Sequence, residues 1–416
     1  MNLAEKTGIE TTELASGVRV VTERLPSMRS ISVGLWVANG SRDEPANLSG
    51  ISHFIEHMVF KGTRKRRTHH IAQRMEAVGG YLNAFTSKEY TCYYARALDE
   101  HLERSVDIVC DLVFNPTFPE REVEKEKDVV VEEMRMYDDV PEDLLFDRYE
   151  GVLFDGHSLA RPVIGYPETV RSFSQSDLFG YLENRYTPDR IVVAAAGNLT
   201  HARVVRLVEQ ALEKAERPPN PSSHARDRVN GYTPKHLIEN RPIQQAHLVL
   251  GTRGLDINDR RRMTMSLLNT VLGGGMSSRL NQNIREKYGY CYHIYSFANM
   301  LSDTGDFGVY MATDGAKVER SKKLIFRELD KLVQKPMSRQ KLSQAQSQLK
   351  GALMLGLESL SNRMMRLGRM LLYDQPFRTL DEIIGSIEAV NETDLQHLAA
   401  DLFDPEQFSS AVLMPG

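Results

Sequence analysis

Two histidines and a glutamate lie close together in the segment His53-Phe54-Ile55-Glu56-His57. If this segment is helical, His57 lies roughly 40° around the axis from His53, and Glu56 lies roughly 60° to the other side. All three side chains then project into one space. Two neutral imidazoles suit Zn²⁺, and a carboxylate that is not a ligand can take a proton from a water molecule that the metal activates. This combination indicates a hydrolase centre, and the alternative is a hydrogen-bonded histidine pair on a buried helix face.

A second helix, predicted over Glu120–Tyr137, contains candidates for a third metal ligand. The helix is predicted there because Pro119 suits a helix start and acidic residues are frequent in the first turns. Glu126 and Glu133 fall about 20° from each other on one face of such a helix. One can bind a metal while the other supports the site from behind. A run of Glu and Lys is also typical of a solvated helix face. Glu132 is the neighbouring alternative, on another face.

The two motifs together resemble the pitrilysin-type (M16) zinc metallopeptidase family, and in particular its bacterial subgroup similar to the mitochondrial processing peptidase. Around the first motif the resemblance covers Ser49–Thr63, and around the second it covers Val131–Met134. It implies a zinc metalloendopeptidase that hydrolyses oligopeptides or unfolded leader segments inside a closable two-domain cavity.

The resemblance also implies a role for each residue of the site. One Zn²⁺ per chain would have three protein ligands, which are His53, His57 and Glu133. Glu56 would act as the general base, and Glu126 would support the ligands from behind.

A further signature in the other half of the chain is similar to the family's C-terminal motif. It runs through Leu272–Leu280 and Ile284–Tyr292. In relatives an arginine and a tyrosine of this motif contact substrate at the scissile bond, and their counterparts are Arg285 and Tyr292. Such donors stabilise the negative charge that hydrolysis builds on a carbonyl oxygen. Tyrosines also occupy positions 288 and 290, so either could take the place of Tyr292.

A substrate-binding strand is expected within Gly79–Ser87, which resembles the family's exposed sheet edge beside the zinc. An extended peptide can add to such an edge through main-chain hydrogen bonds. The residues expected to hold it are Asn83, Ala84 and Phe85. The alternative is an ordinary strand with aromatic core packing.

An internal duplication is visible in the pattern of strands. Ile31–Val37 alternates like a half-buried strand, and Gln245–Gly251 has similar character about 213 positions later. The same offset places polar residues without metal-ligand pattern opposite the first motif, namely Ser266, Asn269 and Thr270. The second copy has therefore lost the ligands.

These features predict an α+β protein of two homologous α/β domains of the pitrilysin/processing-peptidase type. Each domain is expected to be an antiparallel-rich sheet with helices on one face, including long helical patterns such as Ser338–Leu372. The predicted domains are a catalytic zinc-binding domain at 1–215 and a domain at 235–416 that lacks metal ligands and supplies Arg285 and Tyr292. The proline-rich stretch 216–234 is the predicted linker.

Composition limits the possible partners. A net charge of −4 offers no basic face for nucleic acid. No apolar run reaches the roughly 18 residues that span a bilayer, and the N-terminus resembles neither a signal nor a transit peptide, which favours a cytoplasmic protein. Three scattered cysteines indicate reduced thiols. Family resemblance implies peptide substrates and a homodimer.

Three other functions are compatible with parts of this pattern. The chain could be a non-catalytic subunit, against which the presence of every ligand and of Glu56 argues. It could be one subunit of a heteromeric processing peptidase, although it carries both Arg285 and Tyr292 itself. A zinc hydrolase that does not act on peptides could share the first motif, but the duplicated length disfavours it.

Overall fold

The computed structural model describes residues 7–215 and 226–416, so residues 216–225 of the predicted linker lie outside the described part. The strands in chain order are β1 (Ile9–Glu13), β2 (Arg19–Arg24), β3 (Ser30–Val37), β4 (Tyr81–Thr86), β5 (Thr91–Leu98), β6 (Ile191–Gly197), β7 (His236–Arg241), β8 (Ala246–Arg253), β9 (Cys291–Met300), β10 (Gly305–Thr313) and β11 (Ser409–Pro415). The α-helices are α1 (Ile51–Val59), α2 (Thr68–Glu76), α3 (Leu102–Phe114), α4 (Glu120–Asp138), α5 (Pro141–Leu153), α6 (Pro167–Ser172), α7 (Gln175–Arg185), α8 (His201–Glu213), α9 (Arg262–Gly273), α10 (Val318–Gln334), α11 (Arg339–Gly356), α12 (Leu360–Leu372), α13 (Leu380–Glu388) and α14 (Glu392–Leu402).

The strands form two sheets of the same design. Their strand orders are β1-β2-β6-β3-β5-β4 and β7-β11-β8-β10-β9. Neighbouring strands are antiparallel except for one pair in each sheet, β2 with β6 and β7 with β11. The second order repeats the first without a counterpart of β1, and it places β8 where the first sheet has β3. The predicted α+β architecture with two antiparallel-rich sheets is confirmed.

Helices cover one face of each sheet, as predicted, and one further helix lies on the opposite face. In the first sheet α3 and α8 pack on one side, while α12 packs on the other side against β2, β3 and β6. In the second sheet α9 and α10 lie on one side and α5 packs against β8 and β11. Because β6 is covered on both faces, its sequence Ile-Val-Val-Ala-Ala-Ala-Gly is apolar and buried throughout.

These opposite-face helices come from distant parts of the chain. The first compact unit consists of residues up to Met134, Arg161–Arg226 and Leu355–Thr379, and the second consists of Arg135–Ala160, Asp227–Met354 and Leu380–Gly416. Each unit therefore includes a helical segment from the other half of the sequence. The predicted domains, 1–215 and 235–416, were continuous and contained no such exchange.

Several predicted elements have closely matching bounds in the structure. The helix predicted over Glu120–Tyr137 is α4, and the strand predicted over Ile31–Val37 is β3. The helical pattern over Ser338–Leu372 is not one helix. It is divided into α11 and α12, because the chain leaves the helix after Gly356 and Ser359 caps a new one by accepting a hydrogen bond from the Asn362 N–H.

Candidate metal and catalytic site

Helix α1 carries the first motif on its less buried face. Its apolar residues, which include Ile51, Phe54, Ile55 and Met58, are fully buried and orient the helix on the sheet. His53, Glu56 and His57 lie between these positions and are only partly buried. The helical spacing of the motif thus directs all three polar side chains away from the core.

A buried carboxylate from another segment holds the start of α1. Glu44 accepts hydrogen bonds from the backbone N–H groups of Gly50, at 2.7 Å, and Ser52, at 2.8 Å. These N–H groups belong to the first turn of the helix, where no intrahelical acceptor exists. Burial raises the pKa of Glu44 to about 8, against the opposing effect of the two backbone N–H groups. Glu44 therefore fixes the end of the helix from which His53 projects.

Helix α4 brings a carboxylate to the two imidazoles. An oxygen of Glu133 lies 3.4 Å from His57 Nε2, and its other oxygen lies 3.9 Å from His53 Nε2. The imidazole ring centroids are 4.6 Å apart. Within the described ranges, His53, His57 and Glu133 are the one group of three or more such residues whose ligand atoms converge, all within 4.8 Å of one another. Glu132 is exposed.

Glu126 lies behind the imidazole of His57. Its carboxylate accepts a hydrogen bond from His57 Nδ1 at 2.9 Å, and its other oxygen is 2.6 Å from Lys61 Nζ. Burial opposes ionisation of Glu126, but these two partners hold its pKa below the usual value. With the proton of His57 on Nδ1, the lone pair of Nε2 faces Glu133. This is the tautomer that a metal ligand needs.

The charges at the site also suit a cation. Burial, followed by the neighbouring His57, lowers the pKa of His53 to about 3, so its imidazole is neutral and one ring nitrogen has a lone pair that can bind a metal. Burial raises the pKa of Glu133. Burial alone would lower the pKa of His57, but its hydrogen bond to Glu126 and the charge of Glu133 raise it overall. The surrounding carboxylates thus favour a positive charge at His57, and a bound metal ion would supply that charge in place of the proton.

These three side chains fit a zinc ion. Two nitrogens and one carboxylate oxygen are a common donor set for catalytic zinc, and tetrahedral ligands at its usual bond lengths are about 3.4 Å apart. The distances of 3.4 and 3.9 Å lie near this spacing. In addition, one oxygen of Glu133 is buried without a hydrogen-bond partner in the described structure. Buried polar atoms without partners are costly, and a metal would satisfy such a cluster.

Glu56 points toward strand β4 rather than toward Glu126. Its Oε2 accepts a hydrogen bond from the Thr86 hydroxyl at 2.6 Å. Burial raises the pKa of Glu56, and the hydrogen bond from Thr86 opposes that effect. A carboxylate with a raised pKa beside a metal site is suited to accept and return a proton.

Strand β4 is the outermost strand of its sheet, beyond β5. Asn83 is exposed, Phe85 is half-buried and Ala84 is almost fully buried. The side chain of Asn83 bonds within the strand, accepting from the Ala84 N–H at 2.9 Å and donating to the Tyr81 hydroxyl at 2.7 Å. The three residues expected to hold a peptide therefore lie on an edge strand that, among the described strands, pairs with β5 alone.

Arg285 and Tyr292 are neighbours in the second compact unit. Arg285 belongs to a π-helical turn over Asn281–Glu286, and its guanidinium lies 5.3 Å from the ring centre of Tyr292 on β9. Tyr292 is 69% exposed, which leaves its hydroxyl accessible. The two alternative tyrosines have other contacts. Tyr288 accepts a hydrogen bond from Arg327, and Tyr290 lies beside Lys317 and Arg320.

Sequence reasoning missed three residues of this neighbourhood: Glu44, Lys61 and Thr86. Lys61 follows His57 by one helical turn, so its approach to Glu126 could have been found from spacing. Glu44 and Thr86 reach α1 from other segments of the chain, and no local pattern links them to it.

Comparison with known families agrees with the two-part organisation. Residues 19–166 match the family described as insulinase (peptidase family M16), and residues 172–349 match the family described as the peptidase M16 inactive domain. A Bacillus subtilis protein named uncharacterized zinc protease YmxG is 39% identical over 405 residues, which cover 96% of this chain and 97% of that protein. An uncharacterized zinc protease of Streptomyces coelicolor is 39% identical over 95% of this chain and 87% of its own length.

Two solved structures share the fold. A protease from Helicobacter pylori superimposes with a TM-score of 0.91 at 22% identity, covering 98% of this chain and all of that chain. A peptidase M16 inactive domain from Pseudomonas fluorescens superimposes with a TM-score of 0.90 at 20% identity and covers 98% of each chain. With two family matches and close relatives along nearly its whole length, the chain belongs to peptidase family M16.

Proposed function

We propose that this protein is a zinc-dependent metalloendopeptidase that hydrolyses oligopeptides or unfolded leader segments. One observation carries the proposal. The imidazoles of His53 and His57 converge with the Glu133 carboxylate, and a second carboxylate that is not a ligand, Glu56, lies beside them. The names of the relatives from Bacillus subtilis and Streptomyces coelicolor, both zinc proteases, agree with it.

His53, His57 and Glu133 would hold one Zn²⁺ per chain, with Glu126 orienting His57. When bound, the ion supplies a Lewis acid that activates water and polarises the peptide carbonyl. Glu56 takes a proton from the attacking water and then gives that proton to the leaving amine, so the carboxylate ends the cycle as it began. Its raised pKa suits both transfers.

The substrate would add to the edge of β4 as an extended strand. The outward-facing main-chain groups within the stretch Asn83, Ala84 and Phe85 would bind many sequences with little discrimination through hydrogen bonds. To make them, the Ala84 N–H must exchange its bond with the Asn83 side chain for one with the peptide. An extended segment can lie along such an edge, whereas a folded protein offers few free strands. This favours unfolded peptides as substrates.

Arg285 and Tyr292 are proposed to stabilise the negative charge on the substrate carbonyl oxygen. Their mutual contact and the exposure of Tyr292 support this choice over Tyr288 and Tyr290. The assignment of a catalytic domain to 1–215 and of a supporting domain to 235–416 is part of the same proposal, as is the likeness to the processing-peptidase subgroup.

The proposal is tested by digestion of a mixed peptide library with zinc-loaded protein, the Glu56→Gln variant and a matched control, Glu76→Gln, which changes an exposed helical glutamate. The wild type and the control should cleave, whereas Glu56→Gln should bind about one zinc per chain and lose at least about 100-fold in rate. A wild type that binds zinc and cleaves nothing would instead indicate a non-catalytic subunit, or one that needs a second chain.

A homodimer and a cytoplasmic location are further parts of the proposal. Light scattering of the purified protein tests the first, and fractionation of the source cells tests the second. None of the described helices is both long and apolar enough to cross a membrane.

A further inference from the structure

We propose that Thr86 is a positioning residue for the general base Glu56, and that it sets the base in register with the peptide-binding edge. The inference rests on the proposed peptidase function and extends it to a residue outside the proposed metal ligands and peptide-binding residues. Its central observation is the hydrogen bond from the Thr86 hydroxyl to Glu56 Oε2, at 2.6 Å.

The hydroxyl of Thr86 has one hydrogen to donate, and the geometry directs it to Glu56. Thr86 faces Thr91 across the β4–β5 pair, and the two hydroxyl oxygens are 3.5 Å apart. Thr91 is fully buried and donates its own hydrogen to the Asn39 carbonyl oxygen at 3.0 Å. At 2.6 Å against 3.5 Å, the Glu56 oxygen is the nearer acceptor for the hydrogen of Thr86. One carboxylate oxygen is thereby held, and the other stays available for proton transfer.

The end of β4 that carries Thr86 is anchored to the loop before α1. The N–H groups of Ser41 and Arg42 donate to the carbonyl oxygens of Ser87 and Lys88, at 3.1 and 2.8 Å. The guanidinium of Arg42 also forms a buried ion pair with Glu89 at 2.6 Å. A hydroxyl presented by so constrained a segment can fix the direction of a flexible glutamate side chain.

The position of Thr86 on β4 links its contact with Glu56 to the proposed peptide-binding residues. Asn83, Ala84 and Phe85, the proposed peptide-binding residues, directly precede it on β4. The same strand would therefore position both the bound peptide and the Glu56 carboxylate, and so fix the distance between them. Catalytic groups lose much of their effect when they are displaced by about 1 Å, so this coupling affects the chemical step more than it affects binding.

The test compares zinc-loaded Thr86→Val, Thr86→Ser and a control, Ser87→Ala, whose hydroxyl bonds to the Tyr90 carbonyl oxygen instead of to Glu56. Thr86→Val keeps the shape of the side chain and removes the donor. We expect kcat to fall by about 10- to 100-fold with KM changed by less than about 3-fold, and with zinc content unchanged. Thr86→Ser should restore most of the rate, and Ser87→Ala should remain within about 2-fold of the wild type.

Crystal structures of the same variants give a readout that does not depend on activity. In Thr86→Val the Glu56 carboxylate should leave its present position, and in Thr86→Ser it should keep it. An unmoved carboxylate in Thr86→Val, or a kcat equal to that of the wild type, overturns the proposal. Failure of the peptidase function itself is distinguishable, because then the wild type is inactive or Glu56→Gln is as active as the wild type.

Discussion

His57 donates its Nδ1 hydrogen to Glu126 at 2.9 Å, and Glu126 is in turn 2.6 Å from the Lys61 ammonium. This chain of contacts lies entirely behind the face that His57 presents to Glu133. A carboxylate in this position fixes the ring orientation and the tautomer, and it makes the ligand nitrogen more basic. The effect of Glu126 should therefore be on metal affinity.

We expect Glu126→Gln to weaken zinc binding by about 10- to 100-fold, because a neutral amide supports the imidazole less well. Competition with a fluorescent zinc chelator measures the change. Glu122→Gln, one turn earlier on α4 and bonded to Lys125 near the surface, is the control and should bind zinc as the wild type does. Equal affinities for the two variants would contradict a supporting role for Glu126.

Glu133 and Glu132 are distinguished by the same kind of measurement. Glu133→Gln should reduce bound zinc well below one ion per chain, because only two imidazoles would remain as strong ligands. Glu132→Gln should keep the full amount, since Glu132 is exposed on a different face of α4. Metal analysis after dialysis decides between them, and the reverse result would assign the third ligand to Glu132.

Glu44 predicts a specific pH dependence of stability. Burial raises its pKa in the folded state from 4.5 to about 8. Between these two pH values the folded protein therefore keeps a proton on Glu44 that the unfolded protein has released. Unfolding free energy should therefore fall as pH rises from 4.5 to about 8, by at most about 1.4 kcal/mol per pH unit from this group. The charged and titratable groups that act on it are Arg161 and Tyr181.

Glu44→Gln removes this titration and should flatten that part of the profile. Urea unfolding of chelator-treated protein, at intervals between about pH 5 and pH 8, measures it. The variant should also be less stable at the acidic end, because its amide cannot accept both helix N–H groups. Parallel profiles for the two proteins would show that Glu44 does not titrate in this range.

Arg285 and Tyr292 should affect catalysis without affecting the metal. We expect Arg285→Ala and Tyr292→Phe each to reduce kcat/KM by about 10- to 1000-fold, as the loss of a donor to a developing oxyanion does. Zinc content should not change. Tyr288→Phe serves as the control, because the Tyr288 hydroxyl accepts from Arg327 and not from Arg285. If Tyr288→Phe is the damaging change, the tyrosine has been misassigned.

The close packing of Gly368 on helix α12 against Trp36 should make stability sensitive to a substitution at Gly368. A Cβ added to Gly368 would overlap the indole of Trp36, which is fully buried. Gly368→Ala should destabilise the protein by about 1–3 kcal/mol, since the core cannot absorb the atom without moving the ring. Trp36 is the sole tryptophan, so its fluorescence reports the unfolding directly. Gly351→Ala, where an added Cβ meets nothing within 4 Å, should instead stabilise by up to about 1 kcal/mol.

The parts of this site that sequence could predict are those set by geometry within one helix. The convergence of His53 and His57 follows from helical spacing, and the bounds of α4 follow from Pro119 and the acidic residues after it. The pairing of α1 with α4 depends on tertiary packing. Family resemblance, and not periodicity, suggested Glu133, and the structure now places its carboxylate beside both rings.

Contacts between distant segments could not be predicted from any local pattern. Thr86 and Glu56 are thirty positions apart and meet only because β4 lies against α1. Glu44 is only six and eight positions from Gly50 and Ser52, but no helical or strand spacing links it to them. The break between α11 and α12 had a local signal in Gly356 and Ser359, but the apolar periodicity continues through it, so the pattern predicted one long helix.

The exchange of α5 and α12 restricts how this gene can be divided. A cut in the proline-rich segment would yield one fragment with α5 but without α12, and another with the opposite deficit. On the first fragment, the side of the sheet that holds Trp36 would lose its covering residues, including Met364 and Leu367. Large uncovered apolar areas promote aggregation. Two separately translated halves should therefore be recovered in native form only when they are produced together.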